Sequence, residues 1–420
     1  MQREREYEMK CAILSIGSEL MEGRIADTNA AWLSERLTEL GFEVARHIAV
    51  GDRRADILTA LRDLEKVASV TIVTGGLGPT PDDPTREVFA QFSGCALLER
   101  PEAVRSIREL FARRGIVPPD SNFVQALIPE GADYLHNPTG TAPGFALNHG
   151  GCRFFTLPGV PSEMKVMFNE SVGPALRALS DRVILVRSLH TLGMSEALIG
   201  ELLAEMMAEG HSPAVATQAS EGMITVRITA DEATEATARE KLAATEREIR
   251  AKLGEVVYAA DGLTLGWAVA ELLEKRALTL AVAESCTGGE IAARLTDVPG
   301  ISRFFLEGAV TYSNASKTAR LGVPADLIQR HGAVSAETAE AMAAGMRRSF
   351  GADVALSATG IAGPAGGSKE KPVGLVYIGI ADASGTRSER VMAFGTREQI
   401  KVRAAKRALN ILRLHLEKMG

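Results

Sequence analysis

The chain has 420 residues, of which 46% are hydrophobic and 24% are charged, and its formal net charge is −6. This size and balance predict a globular protein of two or three domains and argue against a disordered chain. The negative charge disfavours binding of nucleic acid over a broad surface, because such binding needs a basic face.

The cysteines and the apolar runs further limit the class of protein. Four cysteines lie far apart, at Cys11, Cys95, Cys152 and Cys286. They form no C-x-x-C pair and are few for a secreted disulfide scaffold, so we expect reduced thiols in a cytoplasmic protein. Residues 1–10 are charged and no stretch of about 18 apolar residues occurs, so neither a signal peptide nor a membrane span is predicted.

The first 170 residues alternate between strand and helix patterns. Apolar runs predict strands over 11–16, 42–50, 70–74 and 154–158. Helical spacing of apolar residues predicts helices over 27–40, 55–66, 84–92 and 162–168. This alternation predicts a mostly parallel sheet whose functional residues lie at the carboxyl ends of the strands.

The pattern changes after about residue 173. Strands are predicted over 183–192 and 223–229, and polar helices, more typical of solvated faces than of a partner site, over 196–207 and 232–253. A second alternating pattern runs from about residue 260 to the end. The sequence therefore predicts three domains, with bounds 1–172, 173–257 and 258–420.

The turn that contains Ser285 is the most informative segment. An apolar run over 277–283 ends there, Gly288 and Gly289 follow, and a helical segment begins at residue 290. The two glycines allow a sharp turn from strand to helix that exposes backbone amides. Such a turn suits either a nucleophilic serine or a nucleotide-binding loop without chemistry.

Cys286 is the alternative nucleophile in the same turn. A thiol is intrinsically more nucleophilic than an alcohol. However, adjacent side chains in an extended segment point in opposite directions, so both cannot readily face one site. We favour Ser285.

Lys317 is the candidate base for Ser285. A strand predicted over 309–312 gives way to a helix, and Lys317 falls in the first turn of that helix. A desolvated lysine loses its proton more easily and could then accept the proton of Ser285. The alternative is a solvated surface lysine.

Two further segments of the C-terminal part are candidates for binding phosphate. A strand ending near Thr359 leads into a glycine-rich loop with Gly360 and Gly363, which could offer amides to phosphate or form a plain tight loop. Arg397 stands just before the last predicted helix, where it could bind phosphate or simply begin the helix.

A glycine-rich turn also follows the buried strand predicted over 70–74. It contains Gly75, Gly76, Gly78 and Thr80, with Asp82 and Asp83 directly after it. Two carboxylates beside a phosphate cradle suit a divalent cation. The alternative is an ordinary turn in which Asp83 caps a helix that opens near Pro84. Ser18, Glu19 and Asp27, at other strand ends, could be ligands or helix caps.

Five ordered motifs in the C-terminal part resemble a known family. They lie at 283–289, 312–314 with Lys317, 331–335, 359–364 and 371–374. Together they resemble the nicotinamide mononucleotide (NMN) deamidase domain, which forms the C-terminal half of the CinA, or competence/damage-inducible, proteins. The resemblance covers about residues 260–418.

This resemblance implies hydrolysis of NMN to nicotinate mononucleotide and ammonia without a metal. It implies that Ser285 is the nucleophile and that Lys317 acts as base and then as acid. The residues expected to orient this pair or the substrate are Tyr312, Asn314 and Thr359. The residues expected to bind the substrate are Thr287, Gly288, Gly289, Gly360, Gly363 and Arg397.

The N-terminal part, over about residues 10–170, resembles the other half of the CinA proteins, which has a molybdopterin-binding fold. That half is associated with an ADP-ribose pyrophosphatase that needs a divalent metal (Mg, Mn or Co) and yields AMP and ribose 5-phosphate. The implied metal ligands are Asp82 and Asp83. The residues implied to hold the diphosphate are Gly75, Gly76, Gly78, Thr80, Asn137, Gly140 and Thr141. The chain has no Nudix-type signature.

The sequence therefore predicts an α/β protein: a molybdopterin-binding-like α/β domain, a small α+β middle unit and a C-terminal α/β deamidase domain. The expected function is a bifunctional hydrolase of pyridine-nucleotide salvage, acting on NMN and ADP-ribose. We expect a cytoplasmic homodimer that binds neither membranes nor nucleic acid. The alternatives are an N-terminal half that only binds a pterin or nucleotide, and an accessory protein of competence or DNA repair.

Overall fold

A computed structural model describes residues 10–179, 183–220 and 222–419. The chain divides into two compact units. One is built mainly from the chain up to Leu185, together with Ala230–Arg239, and the other from Val186–Thr229 and the chain from Glu240 onward. Each unit is described by itself.

The first unit contains eight strands and seven helices among the described residues. Its strands are β1 (Lys10–Ile16), β2 (Glu43–Val50), β3 (Val70–Thr74), β4 (Leu97–Glu99), β5 (Leu127–Pro129), β6 (Asp133–Leu135), β7 (Gly144–His149) and β8 (Cys152–Leu157). Its helices are α1 (Ser18–Met21), α2 (Thr28–Glu39), α3 (Arg54–Leu64), α4 (Thr85–Ser93), α5 (Pro101–Arg113), α6 (Pro161–Met167) and α7 (Gly173–Arg177). A 3₁₀ helix covers Asp120–Ala126 and a π-helical turn covers Phe168–Val172.

The main sheet of this unit has the strand order β2-β1-β3-β8-β7-β6. The first four strands are parallel, and β7 and β6 are antiparallel to their neighbours. The prediction of a mostly parallel sheet is confirmed. The chain passes from β1 to β2 on one side and then to β3 on the other. Such a switch point leaves a crevice at the carboxyl ends of the strands, where ligands commonly bind.

Apolar residues fill both faces of this sheet. All five residues of β3 are buried, as expected for a central parallel strand. On one face Phe89 packs edge-to-face with Phe145 and Phe154, with ring centroids 5.2 and 5.7 Å apart. On the other face Trp32 packs against Phe168 at 5.3 Å. The Phe89 contacts join α4 to the sheet, and the Trp32 contact joins α2 to the π-helical turn.

A smaller four-stranded sheet follows, in the order β10-β11-β9-β12. Its elements are β9 (Val183–Thr191), α8 (Glu196–Leu202), β10 (Ala214–Ser220), β11 (Met223–Glu232), α9 (Glu235–Leu253), a 3₁₀ turn (Gly254–Val256) and β12 (Val257–Ala260). The helix predicted over 196–207 ends at Leu202 and continues only as turns. Strands β10 and β12 are not predicted by any apolar run identified above.

The C-terminal part of the second unit is built on a five-stranded sheet. Its strands are β13 (Leu280–Glu284), β14 (Phe305–Val310), β15 (Val354–Gly360), β16 (Leu375–Asp382) and β17 (Gly385–Met392). Its helices are α10 (Leu265–Arg276), α11 (Glu290–Thr296), α12 (Asn314–Leu321), α13 (Ala325–His331), α14 (Ala336–Phe350) and α15 (Arg397–Lys418), with a 3₁₀ turn at Ile301–Arg303.

The strand order of this sheet is β14-β13-β15-β16-β17. Strands β14, β13 and β15 are parallel, whereas β16 and β17 are antiparallel. Because β14 and β15 lie on opposite sides of β13, this sheet also has a switch point, at the carboxyl end of β13. Ser285 directly follows that end. The strand predicted over 309–312 ends at Val310, so Tyr312 lies beyond it.

Helices cover both faces of the C-terminal sheet. Residues of α10, α11 and α15 share one apolar core with the sheet, and α12, α13 and α14 share another with its opposite face. Among the described helices, none combines the length and apolar character that crossing a membrane requires.

Replacing Phe89 by alanine should lower the free energy of unfolding of the first unit by about 3–5 kcal/mol, because a cavity replaces a fully buried ring. Each unit holds one tryptophan, Trp32 and Trp267, so fluorescence during urea unfolding in a Trp267→Phe background reports on the first unit. Val117→Ala is the control, since Val117 is 86% exposed. Equal effects of the two substitutions would contradict this packing.

Candidate functional site

The turn after β13 is tied to the neighbouring strand and bends at two glycines. The Ser285 amide donates to the Ala358 carbonyl of the neighbouring strand at 2.9 Å. Gly288 and Gly289 then adopt positive φ angles of 63° and 100°, a left-handed region that favours glycine. The predicted sharp turn from strand to helix is therefore present, and it carries Ser285 out of the sheet.

Lys317 lies against Ser285 in a nearly closed site. The Lys317 Nζ atom is 3.0 Å from the Ser285 Oγ atom. Lys317 is 1% exposed and Ser285 is 8% exposed. The side chain reaches back from the first turn of α12, a helix that Ser313 begins by capping the Ser316 amide. Lys317 is therefore not a solvated surface lysine.

The remaining contacts of Lys317 are two backbone carbonyls. Its Nζ atom donates to Thr311 O at 2.8 Å and to Tyr312 O at 3.3 Å. A neutral amine has two hydrogens and one lone pair. When both carbonyls accept these hydrogens, the lone pair is free to point toward Ser285. The protonated amine instead donates to all three oxygens.

Burial also favours the neutral amine. Desolvation lowers the pKa of Lys317 below its ordinary value. Within the described part of the chain, no carboxylate forms an ion pair with Lys317 that would offset this effect. The site therefore combines an alcohol with an amine that loses its proton more readily than a surface lysine does.

Cys286 belongs to the apolar core. It is 6% exposed and packs among the aliphatic residues between the sheet and α10, α11 and α15. Burial raises the pKa of its thiol to about 12. A neutral, enclosed thiol is a poor nucleophile, so the geometry favours Ser285 over this alternative.

Glu284, which the sequence reasoning missed, holds the turn in shape. Its buried carboxylate accepts hydrogen bonds from the amides of Gly289 (2.9 Å), Ile291 (3.2 Å) and Ala292 (2.9 Å). The first amides of α11 are thus satisfied from within the chain. Any role of Gly289 in binding a ligand would rest on its lack of a side chain rather than on its amide. The sequence does contain a signal for this role of Glu284: an acidic residue precedes the serine, and two glycines precede the helix.

Three of the predicted residues meet at the rim of the site. The Arg397 guanidinium donates to the Tyr312 hydroxyl at 2.8 Å and to the Gly363 carbonyl at 2.6 Å. Tyr312 is 61% exposed, and the contact to Lys317 comes from its carbonyl and not from its ring. Arg397 therefore ties the glycine-rich loop to the segment before α12.

The other predicted residues take varied positions. Thr359 is buried and its hydroxyl donates to Ala333 O at 2.7 Å. Gly360 packs so closely that a Cβ atom there would stand 2.6 Å from Leu375 O. Asn314 is the exposed first residue of α12. Thr287 is fully buried, and its hydroxyl has no hydrogen-bond partner among the described residues.

Lys401 is a second residue that the sequence reasoning missed. It lies on α15, one turn after Arg397, and is half-buried. A Cβ atom built on Gly288 would stand 3.4 Å from Lys401 Cε and 3.6 Å from Nζ. The ammonium group therefore lies over the glycine turn that carries Ser285.

Hydrogen bonds to its backbone carbonyls hold the glycine-rich turn after β3 in place. Gly75 and Gly76 have positive φ angles of 101° and 65°. The Thr85 hydroxyl donates to Gly75 O at 3.0 Å, and the buried Arg86 guanidinium donates to the carbonyls of Leu77 and Gly78, both at 2.7 Å. Thr85 and Arg86, the first two residues of α4, thus fix the shape of this turn.

The two aspartates after this turn differ in environment. Asp83 accepts hydrogen bonds from the Thr80 amide at 3.1 Å and hydroxyl at 2.5 Å. The alternative that Asp83 caps the next helix is wrong, because α4 begins at Thr85 and its N-cap residue is Pro84. Asp82 is exposed, and a hydrogen bond from Thr80 lowers the pKa of its carboxyl.

These carboxylates suit a divalent cation only in part. They are anionic oxygen donors, the type that Mg²⁺ and Mn²⁺ prefer. Within the described ranges no group of three or more His, Cys, Asp or Glu side chains could hold a metal ion. A cation bound by Asp82 and Asp83 would need further oxygens from water or from a diphosphate, which is the usual way in which Mg²⁺ binds.

The loop over 137–141 is organised by Asn137. Its side-chain amide donates to Ala142 O (2.8 Å) and to the Glu163 carboxylate (2.7 Å), and its oxygen accepts from the Gly140 amide (2.8 Å). Asn137 is 5% exposed. Both hydrogens of its amide are thus used within the protein. Direct contact of Asn137 with a diphosphate stays a prediction, as it does for Gly140 and the half-buried Thr141.

A cleft opens at the switch point of the first sheet. Its walls include Thr74, Thr28 and Asn29, together with Glu19 and Asp27. Asp27 is a helix cap, since its carboxylate accepts from the Ala30 amide at 2.9 Å. Ser18 instead donates to Asp52, from its amide at 2.9 Å and its hydroxyl at 2.6 Å.

Comparison with known families gives three consecutive matches. Residues 12–178 match the model described as "Probable molybdopterin binding domain". Residues 186–259 match the damage-inducible protein CinA KH domain, and residues 263–416 match the CinA C-terminal domain.

Similar proteins extend over almost the whole chain. A competence-damage inducible relative from Caldanaerobacter subterraneus subsp. tengcongensis is 44% identical over 97% of this chain and 99% of its own length. A CinA-like protein from Kosmotoga olearia is 42% identical over 96% of this chain and 98% of its own length. A solved competence/damage inducible protein from Agrobacterium tumefaciens is 38% identical, covers 37% of this chain and 94% of its own, and has a TM-score of 0.35.

Replacing Glu284 by glutamine should lower the free energy of unfolding of the second unit by about 1–3 kcal/mol. The new NH₂ group would face amides that need an acceptor. Trp267 fluorescence during urea unfolding, in a Trp32→Phe background, measures this change. Glu271→Gln, on the exposed side of α10, is the matched control and should stay within about 0.5 kcal/mol. A Glu284→Gln protein as stable as this control would contradict the role of the carboxylate.

Proposed function

Since the chain belongs to the CinA, or competence/damage-inducible, family, we propose that its C-terminal part hydrolyses the carboxamide of NMN to nicotinate mononucleotide and ammonia. The observation that carries the proposal is the 3.0 Å contact between Lys317 Nζ and Ser285 Oγ in a nearly closed site. A serine beside a buried lysine is a known arrangement of nucleophile and base.

The first half of the reaction acylates Ser285. Neutral Lys317 takes the hydroxyl proton as the Ser285 oxygen attacks the carboxamide carbon, forming a tetrahedral intermediate. The lysine, now an ammonium, gives its proton to the amide nitrogen, and ammonia leaves as the C–N bond breaks. An ester of Ser285 remains, and Lys317 is neutral again.

The second half releases the acid. Lys317 takes a proton from a water molecule, and the resulting hydroxide attacks the ester carbonyl. Collapse of the intermediate breaks the bond to Ser285, whose oxygen recovers a proton from Lys317. The two carbonyls that accept from Nζ keep the amine in place through both halves, because they serve the neutral and the charged form alike.

The residues at the rim would position the rest of the substrate. Arg397 holds the Tyr312 ring and the Gly363 loop together and has N–H groups left for an anion. The exposed ring of Tyr312 and the amide of Asn314 are accessible to a pyridine nucleotide. Thr359, whose hydroxyl donates to Ala333, would support the site from beneath.

Ser285→Ala and Lys317→Met should each reduce ammonia release from NMN by at least about 10³-fold, because each removes a member of the nucleophile–base pair. A coupled ammonia assay on the full chain measures this. Cys286→Ala is the matched control and should keep activity, since its thiol faces the core. Activity that survives Ser285→Ala but not Cys286→Ala would overturn the assignment.

The pH profile of the wild-type protein separates a base from a structural lysine. The active form needs neutral Lys317, so kcat/KM should rise with pH. Because burial lowers the pKa of Lys317, the midpoint of the rise should lie below the value of an ordinary lysine. A profile without this limb would argue against Lys317 as the base.

We further propose that the N-terminal part cleaves ADP-ribose to AMP and ribose 5-phosphate with a divalent cation such as Mg²⁺, Mn²⁺ or Co²⁺. Asp82 and Asp83 would hold the cation, and the turn with Gly75, Gly76 and Gly78 would lie beside the diphosphate. A bound cation would neutralise the diphosphate and make its phosphorus more electrophilic. The supporting observation is that two anionic carboxylates follow a fixed glycine turn.

EDTA should abolish ADP-ribose cleavage and leave NMN deamidation unchanged, because only the first reaction requires a cation in this proposal. Release of AMP and of ammonia, measured on the same preparation, tests both activities. Asp82→Asn should mimic EDTA for ADP-ribose alone. Equal loss of both activities would contradict two independent sites.

The remaining expectations belong to the same proposal: a cytoplasmic homodimer acting on small nucleotides. Two alternatives have distinct outcomes. Saturable binding of molybdopterin or ADP-ribose without release of AMP would favour an N-terminal binding module. Binding of single-stranded DNA that weakens steeply with salt would favour an accessory role in competence or repair.

A further inference from the structure

We propose that Lys401 binds the phosphate group of the substrate and thereby selects phosphorylated over unphosphorylated nicotinamide compounds. This inference rests on the proposed deamidase function, because it assigns a part of that substrate to a part of that site. Neither the motifs nor the resemblance pointed to Lys401.

The position of Lys401 is the first observation. Its ammonium group lies over Gly288, in the turn that carries the Ser285 nucleophile. The residue is half-buried on α15. Across the described ranges, no carboxylate or carbonyl forms an ion pair or hydrogen bond with it. A partly desolvated cation without a partner is a favourable place for an anion.

The second observation is that the usual anion site of such a turn is already filled. A glycine turn at a helix N-terminus normally offers its free amides to phosphate. Here the Glu284 carboxylate accepts from the amides of Gly289, Ile291 and Ala292. A substrate phosphate at that place would meet a carboxylate. At this turn, a phosphate contact is therefore left to a side-chain cation.

The third observation concerns the other cation on the same helix face. Arg397 precedes Lys401 by four residues, so both side chains project from one side of α15. Arg397 already donates to Gly363 O and to the Tyr312 hydroxyl. Lys401 is the cation whose hydrogens are all available. A phosphate monoester carries a charge of about −1.5 to −2 at neutral pH, which suits such a pair of cations.

The Lys401 side chain lies next to the backbone of Gly288. A Cβ atom at this position would stand 3.4 Å from Lys401 Cε, an ordinary van der Waals distance, so the end of the lysine side chain lies close to the turn. The nucleophile and the proposed phosphate contact are thus held by one turn and one helix, which fixes their spacing.

The test compares two substrates that differ only in the phosphate. Lys401→Met in the full chain should lower kcat/KM for NMN by about ten- to hundredfold, the value of one charge-assisted hydrogen bond. The same substitution should change kcat/KM for nicotinamide riboside less than about twofold. Lys401→Arg should retain most of the activity on NMN. Lys275→Met, which removes an exposed cation from α10, is the matched control and should affect neither substrate.

Equal losses with both substrates, or no loss with either, would overturn the assignment. Isothermal titration with inorganic phosphate gives a readout that does not depend on catalysis. The affinity of one phosphate site should fall at least about tenfold in Lys401→Met but not in Lys275→Met. If the wild-type protein releases no ammonia from NMN, the proposed function fails. The titration then still decides whether Lys401 binds phosphate, and equal affinities in both variants would refute it.

Discussion

The contact between a buried amine and a serine hydroxyl is the constraint on which the C-terminal site depends. Lys317 lies among Ser285 Oγ and two backbone carbonyls, with almost no exposure to solvent. Desolvation disfavours the ammonium, whereas the carbonyls can accept hydrogens from either form. The amine can therefore exchange a proton without moving. This is the condition for one group to serve as base and then as acid.

The surrounding strands and helices hold the Lys317 and Ser285 side chains in position. Strand β13 ends at the switch point between β14 and β15, and Glu284 holds the following turn against α11. Ser285 is tied to the neighbouring strand through Ala358 O. The first unit uses the same principle, since its cleft also lies at a switch point. Both units thus place polar residues where strand ends diverge and leave room for a ligand.

Much of this could be predicted from sequence, and the failures have physical causes. Strand β3 is predictable because it is a short, mostly apolar run. Helix α2 is predictable because its apolar residues have helical spacing and Asp27 marks its start. The end of β14 was misplaced because the carbonyls of Thr311 and Tyr312 bond to Lys317 rather than to a strand. Ser285 could be found because a local turn defines it. The placements of Lys401 and of the Glu284 carboxylate depend on packing and hydrogen bonds that no local pattern records.

The enclosure of Cys286 has a consequence for chemical durability. Thiols react with peroxide as thiolates, and this sulfur is neutral at ordinary pH and shielded by aliphatic neighbours. An amidase of the proposed kind, which uses a hydroxyl and an amine while the thiol next to the serine is buried, would remain active under oxidation that inactivates enzymes with a catalytic cysteine.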